Sequence, residues 1–306
     1  NKYASAIVGK WHLSSYNSAI NPETFGIDYY AGLIRGAVDD YYQWQLSEDG
    51  ATSQNTEYIT EVFTDLSIDW INQQSKPWFM WLAYAAPHTP FHLPPADLHS
   101  QNLSGTQSDI SNNPRPYYLA SIEAMDTEIG RLLESMNAAE RNNTIVFFIG
   151  DNGTLSQVTD TTVYVNGSKG TLYEGGLRVP MLVSGNGVSR QNERESGLIN
   201  ATDFYATIAQ LAGNELTEIH DSVSFKGLLS NANSSTRDYI YADFESDRMS
   251  GWAIRNQQYK LIVYTNGEQE LYDLINNPQE THELLNSGGD YSLILDELMA
   301  ELNKIR

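Results

Sequence analysis

Lys10, His12, His88, Asp151, Asn152 and Lys169 are the side chains whose types could combine into one chemistry. An Asp carboxylate beside an Asn amide offers hard oxygen donors, which suit calcium or magnesium. Two lysines and two histidines can surround a tetrahedral oxyanion and move protons. Each also has an ordinary alternative. A single His is often a hydrogen-bonded structural residue. Asp151-Asn152-Gly153 reads as a turn, and Gly167-Ser168-Lys169-Gly170 reads as a flexible loop. What sets most of them apart is position. Lys10 and His12, then His88, then Asp151 with Asn152 each follow an apolar run of strand length. In parallel α/β sheets the C-terminal strand ends face the ligand crevice. Three strands delivering ionisable groups to one edge therefore form a site pattern. The glycines flanking Lys169 would let the backbone of that loop come close to a ligand.

The elements that must position these groups follow from periodicity. Residues 4–9 read as a short buried strand leading into Lys10-Trp11-His12. Residues 14–56, rich in Asn, Ser, Tyr, Gly and Asp, read mostly as loop with short strands. Ile59, Val62, Phe63, Leu66 and Trp70 fall at helical spacing, which predicts an amphipathic helix over 57–74. The apolar run 78–84 predicts a strand buried on both faces, ending at Ala85-Ala86-Pro87-His88. Residues 89–115 read as loop. Residues 118–136 carry a second apolar stripe, and 144–150 read as a buried strand ending at Asp151. A Gly-rich loop over 154–180, a strand over 181–184 and a helix over 202–212, stopped by Gly213, follow. Strands alternating with helices favour an α/β domain with a largely parallel sheet. From about residue 235 the texture changes to short strands at 239–244, 252–254, 259–264 and 270–273, with a helix over 291–304. The expected organisation is a domain over 1–234 and a small antiparallel subdomain with a terminal helix over 235–306.

Composition narrows the classes. The 306 residues are 41% hydrophobic and carry a formal net charge of -21. That is enough apolar material for a core. The charge repels nucleic acid and anionic lipid surfaces non-specifically. It leaves an anionic substrate open, because local cations and a metal ion can dominate one pocket. With no Cys, disulfides and thiolate chemistry are excluded. No run is long enough to span a bilayer as a helix. Asn-x-Ser/Thr sequons at Asn102, Asn142 and Asn152 are read as chance, since a glycan on Asn152 would not fit a metal site.

Taken together the motifs resemble the sulfatase family. Val8-Gly9-Lys10-Trp11-His12-Leu13 resembles its second signature, and Ala86-Pro87-His88-Thr89-Pro90 its histidine loop. Gly150-Asp151-Asn152-Gly153 looks like its metal-binding strand end. Ser168-Lys169-Gly170-Thr171 through Glu174-Gly175-Gly176-Leu177-Arg178-Val179-Pro180 resembles its lysine loop. Arg255, Tyr259-Lys260-Leu261, Glu270-Leu271-Tyr272-Asp273-Leu274 and Asn277-Pro278-Gln279-Glu280-Thr281 match its C-terminal subdomain. The motifs run in family order to about residue 285.

The resemblance implies an α/β, alkaline-phosphatase-like fold: a mixed sheet flanked by helices, N-terminally incomplete, then a small antiparallel sheet plus helix. It implies that Lys10 and His12 contact a formylglycine nucleophile, with His12 the base that expels sulfate from the covalent intermediate. His88 and Lys169 would bind sulfate oxygens and help the leaving alcohol depart. Asp151 and Asn152 would be two ligands of a calcium ion, with magnesium the other choice. Arg178 would have a structural role through ion pairing. The implied substrates are sulfated carbohydrates or small aryl or alkyl sulfates, and the implied setting is periplasmic or secreted.

The pattern also breaks. The family places a metal-binding Asp pair and a Cys/Ser-x-Pro-x-Arg motif upstream of the Lys10 motif, and neither is present. Ser111-Asn112-Asn113-Pro114-Arg115 has the wrong spacing. The expectation is a fragment that lacks its nucleophile and half of its metal site, is inactive alone, and is prone to self-association through exposed strand edges. Ser14 replaces a frequent family Gly, with no chemical consequence expected. Two other functions compete: a phosphodiesterase or phosphonate monoester hydrolase of the same superfold, and a non-catalytic truncated homologue that binds sulfated ligands.

Overall fold

The computed structural model describes residues 2–13, 22–36, 38–246 and 250–305. Ser14 and the start of the expected 14–56 loop lie outside the described residues. The chain divides into two compact units, Asn1–Arg141 and Asn142–Arg306. This division falls elsewhere than 234/235.

In the first unit, β1 (Ala4–Lys10) pairs in parallel with β2 (Tyr29–Leu33), which leads into an antiparallel hairpin of β3 (Trp44–Glu48) and β4 (Ala51–Asn55). Helix α1 (Ile59–Asn72) returns the chain to β5 (Trp78–Ala83), parallel to β1 on its other side. The sheet order is β4-β3-β2-β1-β5. After a long loop come α2 (Gln107–Asn112), α3 (Pro114–Ser135) and the short α4 (Ala138–Asn142). The apolar stripe of α1 buries Ile59, Val62, Phe63 and Trp70. Its second buried flank is Thr60, Thr64 and Ser67. The Thr64 and Ser67 hydroxyls donate to the carbonyls one turn back, at 3.0 and 2.7 Å, which makes their burial tolerable. Ala4 and Ala6 of β1 pack with Trp70 and Ile71 of α1 and Leu132 of α3. Thr106 caps α2, a helix absent from the sequence reading, and Pro114 opens α3 four residues earlier than expected.

The strand expected to be buried on both faces is not. Every β5 residue is only partly covered, and Trp81 is 61% exposed. The reason is topological: within the described unit β5 ends the sheet and has β1 as its only strand neighbour.

In the second unit, β6 (Ile145–Ile149) pairs antiparallel with β7 (Met181–Gly185) in a two-stranded sheet of their own. The five-stranded sheet of the first unit, parallel at β1 and antiparallel at β3 and β4, is the mixed sheet that the family resemblance implied rather than the largely parallel one suggested by strand–helix alternation. The intervening loop holds one short helical turn, α5 (Glu174–Leu177). β6 is also half-covered rather than buried. Helix α6 (Phe204–Leu211) is followed by Gly213 at φ +97° and by a ribbon of β8 (Glu218–Ile219) and β9 (Ser222–Val223). Four antiparallel strands come next: β10 (Ile240–Glu245), β11 (Ser250–Arg255), β12 (Tyr259–Tyr264) and β13 (Gln269–Asp273), in sequential order. The last helix is α7 (Ser292–Ile305). Strand alternation splits β12. Leu261 and Val263 face α7 residues Leu298 and Leu302. Ile262 packs on the opposite side with Leu172 and Tyr173 of the lysine loop. That contact explains why the antiparallel sheet does not separate from the residues before 235.

Candidate functional site

Lys10, His12 and His88 belong to the first unit. Because β1 and β5 are parallel neighbours in register Gly9↔Ala83, both chains leave the sheet over the same edge. Gly9 makes this closeness possible: at φ +114°, a Cβ there would lie 2.0 Å from the Ala83 carbonyl oxygen. Pairing continues past β1, where Trp11 N–H donates to Leu33 O at 2.9 Å and His12 N–H to Ile34 O at 3.3 Å. Lys10 is thereby half-buried, while His12 projects exposed at φ 60°. The His12 ring lies over Gly36, where a Cβ would come within 2.1 Å of Nε2.

His88 is half-buried in the loop after β5. Its N–H closes a turn onto Ala85 O at 3.0 Å. Nδ1 of its ring lies 2.8 Å from Thr89 O. A carbonyl only accepts, so Nδ1 carries the hydrogen and Nε2 is the atom left to meet a ligand. The Tyr41 hydroxyl reaches this loop from beneath, 2.8 Å from His88 O and 3.0 Å from Ala85 O. Ser111, of the rejected Ser-Asn-Asn-Pro-Arg text, is exposed on α2.

Asp151, Asn152 and Lys169 belong to the second unit. Asp151 and Asn152 follow β6 after the single residue Gly150 and are exposed. Neither side chain makes a hydrogen bond or ion pair among the described residues. The turn and the lysine loop form one piece: Gly153 N–H donates to Gly176 O at 3.0 Å, and Lys169 N–H to Thr154 O at 2.8 Å. The glycines are needed for this contact, since a Cβ on Gly153 would meet Gly175 O at 2.1 Å. Lys169 is half-buried, and no partner holds its ammonium among the described residues.

A buried charge network anchors the loop from below. Glu174, 8% exposed, contacts Arg255 and Lys260 at 3.2 Å each. Lys260 also pairs with Glu280 at 2.7 Å, and both are 1% exposed. That contact to Oε1 is an ion pair without hydrogen-bond alignment, whereas Oε2 accepts the Glu174 N–H at 2.6 Å. Burial raises the Glu280 carboxyl above its ordinary range, against the pull of Lys260. Burial likewise lowers the Arg255 guanidinium, with Glu174 opposing. Arg178 is exposed and makes no ion pair among the described residues. Glu174, not Arg178, is the ion-pairing residue of this motif. Lys260 in an apolar strand run, on the same alternation as Ile262, was the available signal for this network.

The donor set at Asp151 and Asn152 fits calcium or magnesium in kind, being uncommitted carboxylate and amide oxygens. It falls short in number, since calcium takes about six to eight oxygen ligands. Among the described residues no three His, Asp or Glu gather into a metal-binding group.

Comparison with known proteins gives the family and the fold. The Sulfatase family model matches residues 1–214, most of the chain. A second model, N-sulphoglucosamine sulphohydrolase, C-terminal, matches residues 167–306. Arylsulfatase J of Mus musculus is 27% identical over 232 residues, covering 71% of this chain and 38% of its own length. The crystal structure of Ps i-CgsB in complex with k-i-k-neocarrahexaose is 26% identical, with a TM-score of 0.81, covering 99% of this chain and 71% of that one. A solved structure in complex with its substrate D-glucosamine-2-N,6-O-disulfate is 21% identical, with a TM-score of 0.78 and covering 99% and 79% respectively, which speaks to the fold alone. The first curated relatives are matched over 41%, 38% and 50% of their lengths, so the chain spans half or less of each. The mixed sheet with its antiparallel C-terminal sheet and helix is the alkaline-phosphatase-like fold of these neighbours. The chain belongs to the sulfatase family.

Proposed function

We propose that this protein hydrolyses sulfate esters of carbohydrates, with its attacking group coming from sequence outside residues 1–306. The supporting observation is the edge shared by β1 and β5. Adjacent parallel strands deliver Lys10, His12 and His88 there, and the His88 ring has Nδ1 committed to Thr89 O. In this reading the Lys10 and Lys169 ammonium groups hold sulfate oxygens. His88, its Nδ1–H held by Thr89 O, donates to sulfate once Nε2 also takes a proton and, with Lys169, assists the departing alcohol. His12 is the base for sulfate expulsion. Asp151 and Asn152 would hold calcium or magnesium together with further ligands. When bound, that ion would polarise the sulfate, while a formylglycine would supply the attacking oxygen.

Sulfated carbohydrate is favoured over small aryl or alkyl sulfates because a related structure, 26% identical to this chain, holds k-i-k-neocarrahexaose. Among the described residues no helix is long and apolar enough to cross a membrane. A periplasmic or secreted setting accords with the family, and cell fractionation tests it. The apolar, half-covered β5 favours self-association of the isolated chain, measurable by sedimentation.

The first experiment is to sequence the source DNA upstream of Asn1. An in-frame Asp pair and Cys/Ser-x-Pro-x-Arg motif support the proposal; a native start beside residue 1 counts against catalysis. The whole enzyme should then cleave an aryl sulfate faster than an aryl phosphate. The reverse order would make it a phosphodiesterase or phosphonate hydrolase.

A further inference from the structure

We propose that Tyr41 is a positioning residue for His88, acting through the backbone of the histidine loop. This rests on the reading of His88 as a sulfate-contacting group.

Tyr41 is 1% exposed, so it meets no substrate. Its hydroxyl has one hydrogen and two carbonyl acceptors, His88 O and Ala85 O. These oxygens belong to the two ends of one turn, already closed by the His88 N–H bond to Ala85 O. The phenol therefore fastens that turn at both ends. Burial pushes the Tyr41 phenol well above its ordinary range, so it remains a donor.

Tyr41 is itself held. Its carbonyl accepts the Ile59 N–H at 3.1 Å, tying it to the start of α1. Its ring stacks on His92 at 3.8 Å between centroids. His92 Nδ1 lies 3.0 Å from Pro90 O and so carries the hydrogen, which makes the Tyr58 hydroxyl, 3.1 Å from Nε2, the donor of that bond. Tyr42 donates to Leu93 O at 2.8 Å further along the same loop. The frame that orients His88 thus stands on Tyr41 and the start of α1, as well as on β5, whereas Tyr42 ties down only the later part of the loop. Without the Tyr41 hydroxyl, His88 O loses a buried donor. The turn can then relax, and the Nδ1–H contact to Thr89 O, which aims Nε2, is no longer held in place.

The test uses the full chain with ¹⁵N-labelled histidine, reading the ring nitrogens by NMR and titrating inorganic sulfate. His88 is identified by its absence in His88→Gln. The wild type should show one His88 tautomer, with hydrogen on Nδ1. Tyr41→Phe should stay folded by circular dichroism but show mixed or broadened His88 signals and about fivefold weaker sulfate response, as for one lost hydrogen bond. Tyr42→Phe should leave His88 unchanged. Identical His88 signals in wild type and Tyr41→Phe would overturn the proposal. So would a mixed tautomer in the wild type, a result that does not depend on Tyr41→Phe folding. If the wild-type His88 ignores sulfate while Tyr41→Phe still alters its tautomer, the positioning role stands and the sulfate-contacting role falls.

Discussion

Lys260→Met should be among the most destabilising single substitutions in the second unit, and its cost should depend on pH. Lys260 and Glu280 are each 1% exposed, 2.7 Å apart, and Glu174 lies 3.2 Å from the same ammonium. Glu174 keeps its ion pair with Arg255 when Lys260 is removed, whereas among the described residues Glu280 has no second ion pair and feels Arg255 only at longer range. A buried carboxylate left alone costs about 3–5 kcal/mol. The cost at pH 8 should fall in that range. The pH dependence follows from Glu280, whose carboxyl burial already raises above its ordinary value of 4.5. Between the unfolded and folded values the folded chain binds more protons than the unfolded chain, so stability rises as pH falls through this window. Removing Lys260 pushes the carboxyl higher still. The destabilisation should therefore shrink between pH 8 and pH 5. Urea unfolding of wild type and variant at both pH values, followed by circular dichroism, measures it. A cost below about 1 kcal/mol at pH 8, or one that grows toward pH 5, would refute the reasoning.

Gly36→Ala should displace the His12 ring, since the new Cβ would lie 2.1 Å from Nε2. Turnover by the whole enzyme should drop at least tenfold while the unfolding midpoint changes little, because an exposed ring can swing away at a cost of about 1 kcal/mol. Asp203→Asn should cost about 3–5 kcal/mol in denaturant titration. The carboxylate is buried, takes both Asn200 and Val223 N–H at 2.8 Å, and receives Arg237 Nε at 2.8 Å on each oxygen. Burial lowers His92 from 6.5 to about 4. The unfolded chain then binds the extra proton first, so stability falls as pH drops from 6.5 toward 4, by about 3 kcal/mol at most. His92→Phe should flatten that slope in urea titrations at pH 7 and 4.5.

Much of this protein was legible in its residues. Apolar stripes fixed α1 and the last helix, because a helix must bury one face at a 3.6-residue period. Short apolar runs located β1, β5, β6 and β12, and the polar motifs after the first three marked strand ends. Family membership followed from motif order. Other features were hidden for physical reasons. α2 carries no buried residue and so no apolar period to read. An apolar run such as 78–83 records that a strand is apolar but not how many neighbours cover it, and Trp81 at 61% exposure shows the difference. The antiparallel pairing of β6 with β7 depends on chain reversal over 31 intervening residues, from Gly150 to Pro180, which no local pattern encodes.

Residue types and order determined which chemistry is available: two lysines, two histidines and a pair of hard oxygens at strand ends. Only the tertiary structure decided what holds them. Hydrogen bonds and ion pairs join partners far apart in sequence, as Tyr41 meets His88 and Glu174 meets Lys260 and Glu280. Such partners are chosen by where the backbone brings them, and a one-dimensional pattern carries no distance across a fold.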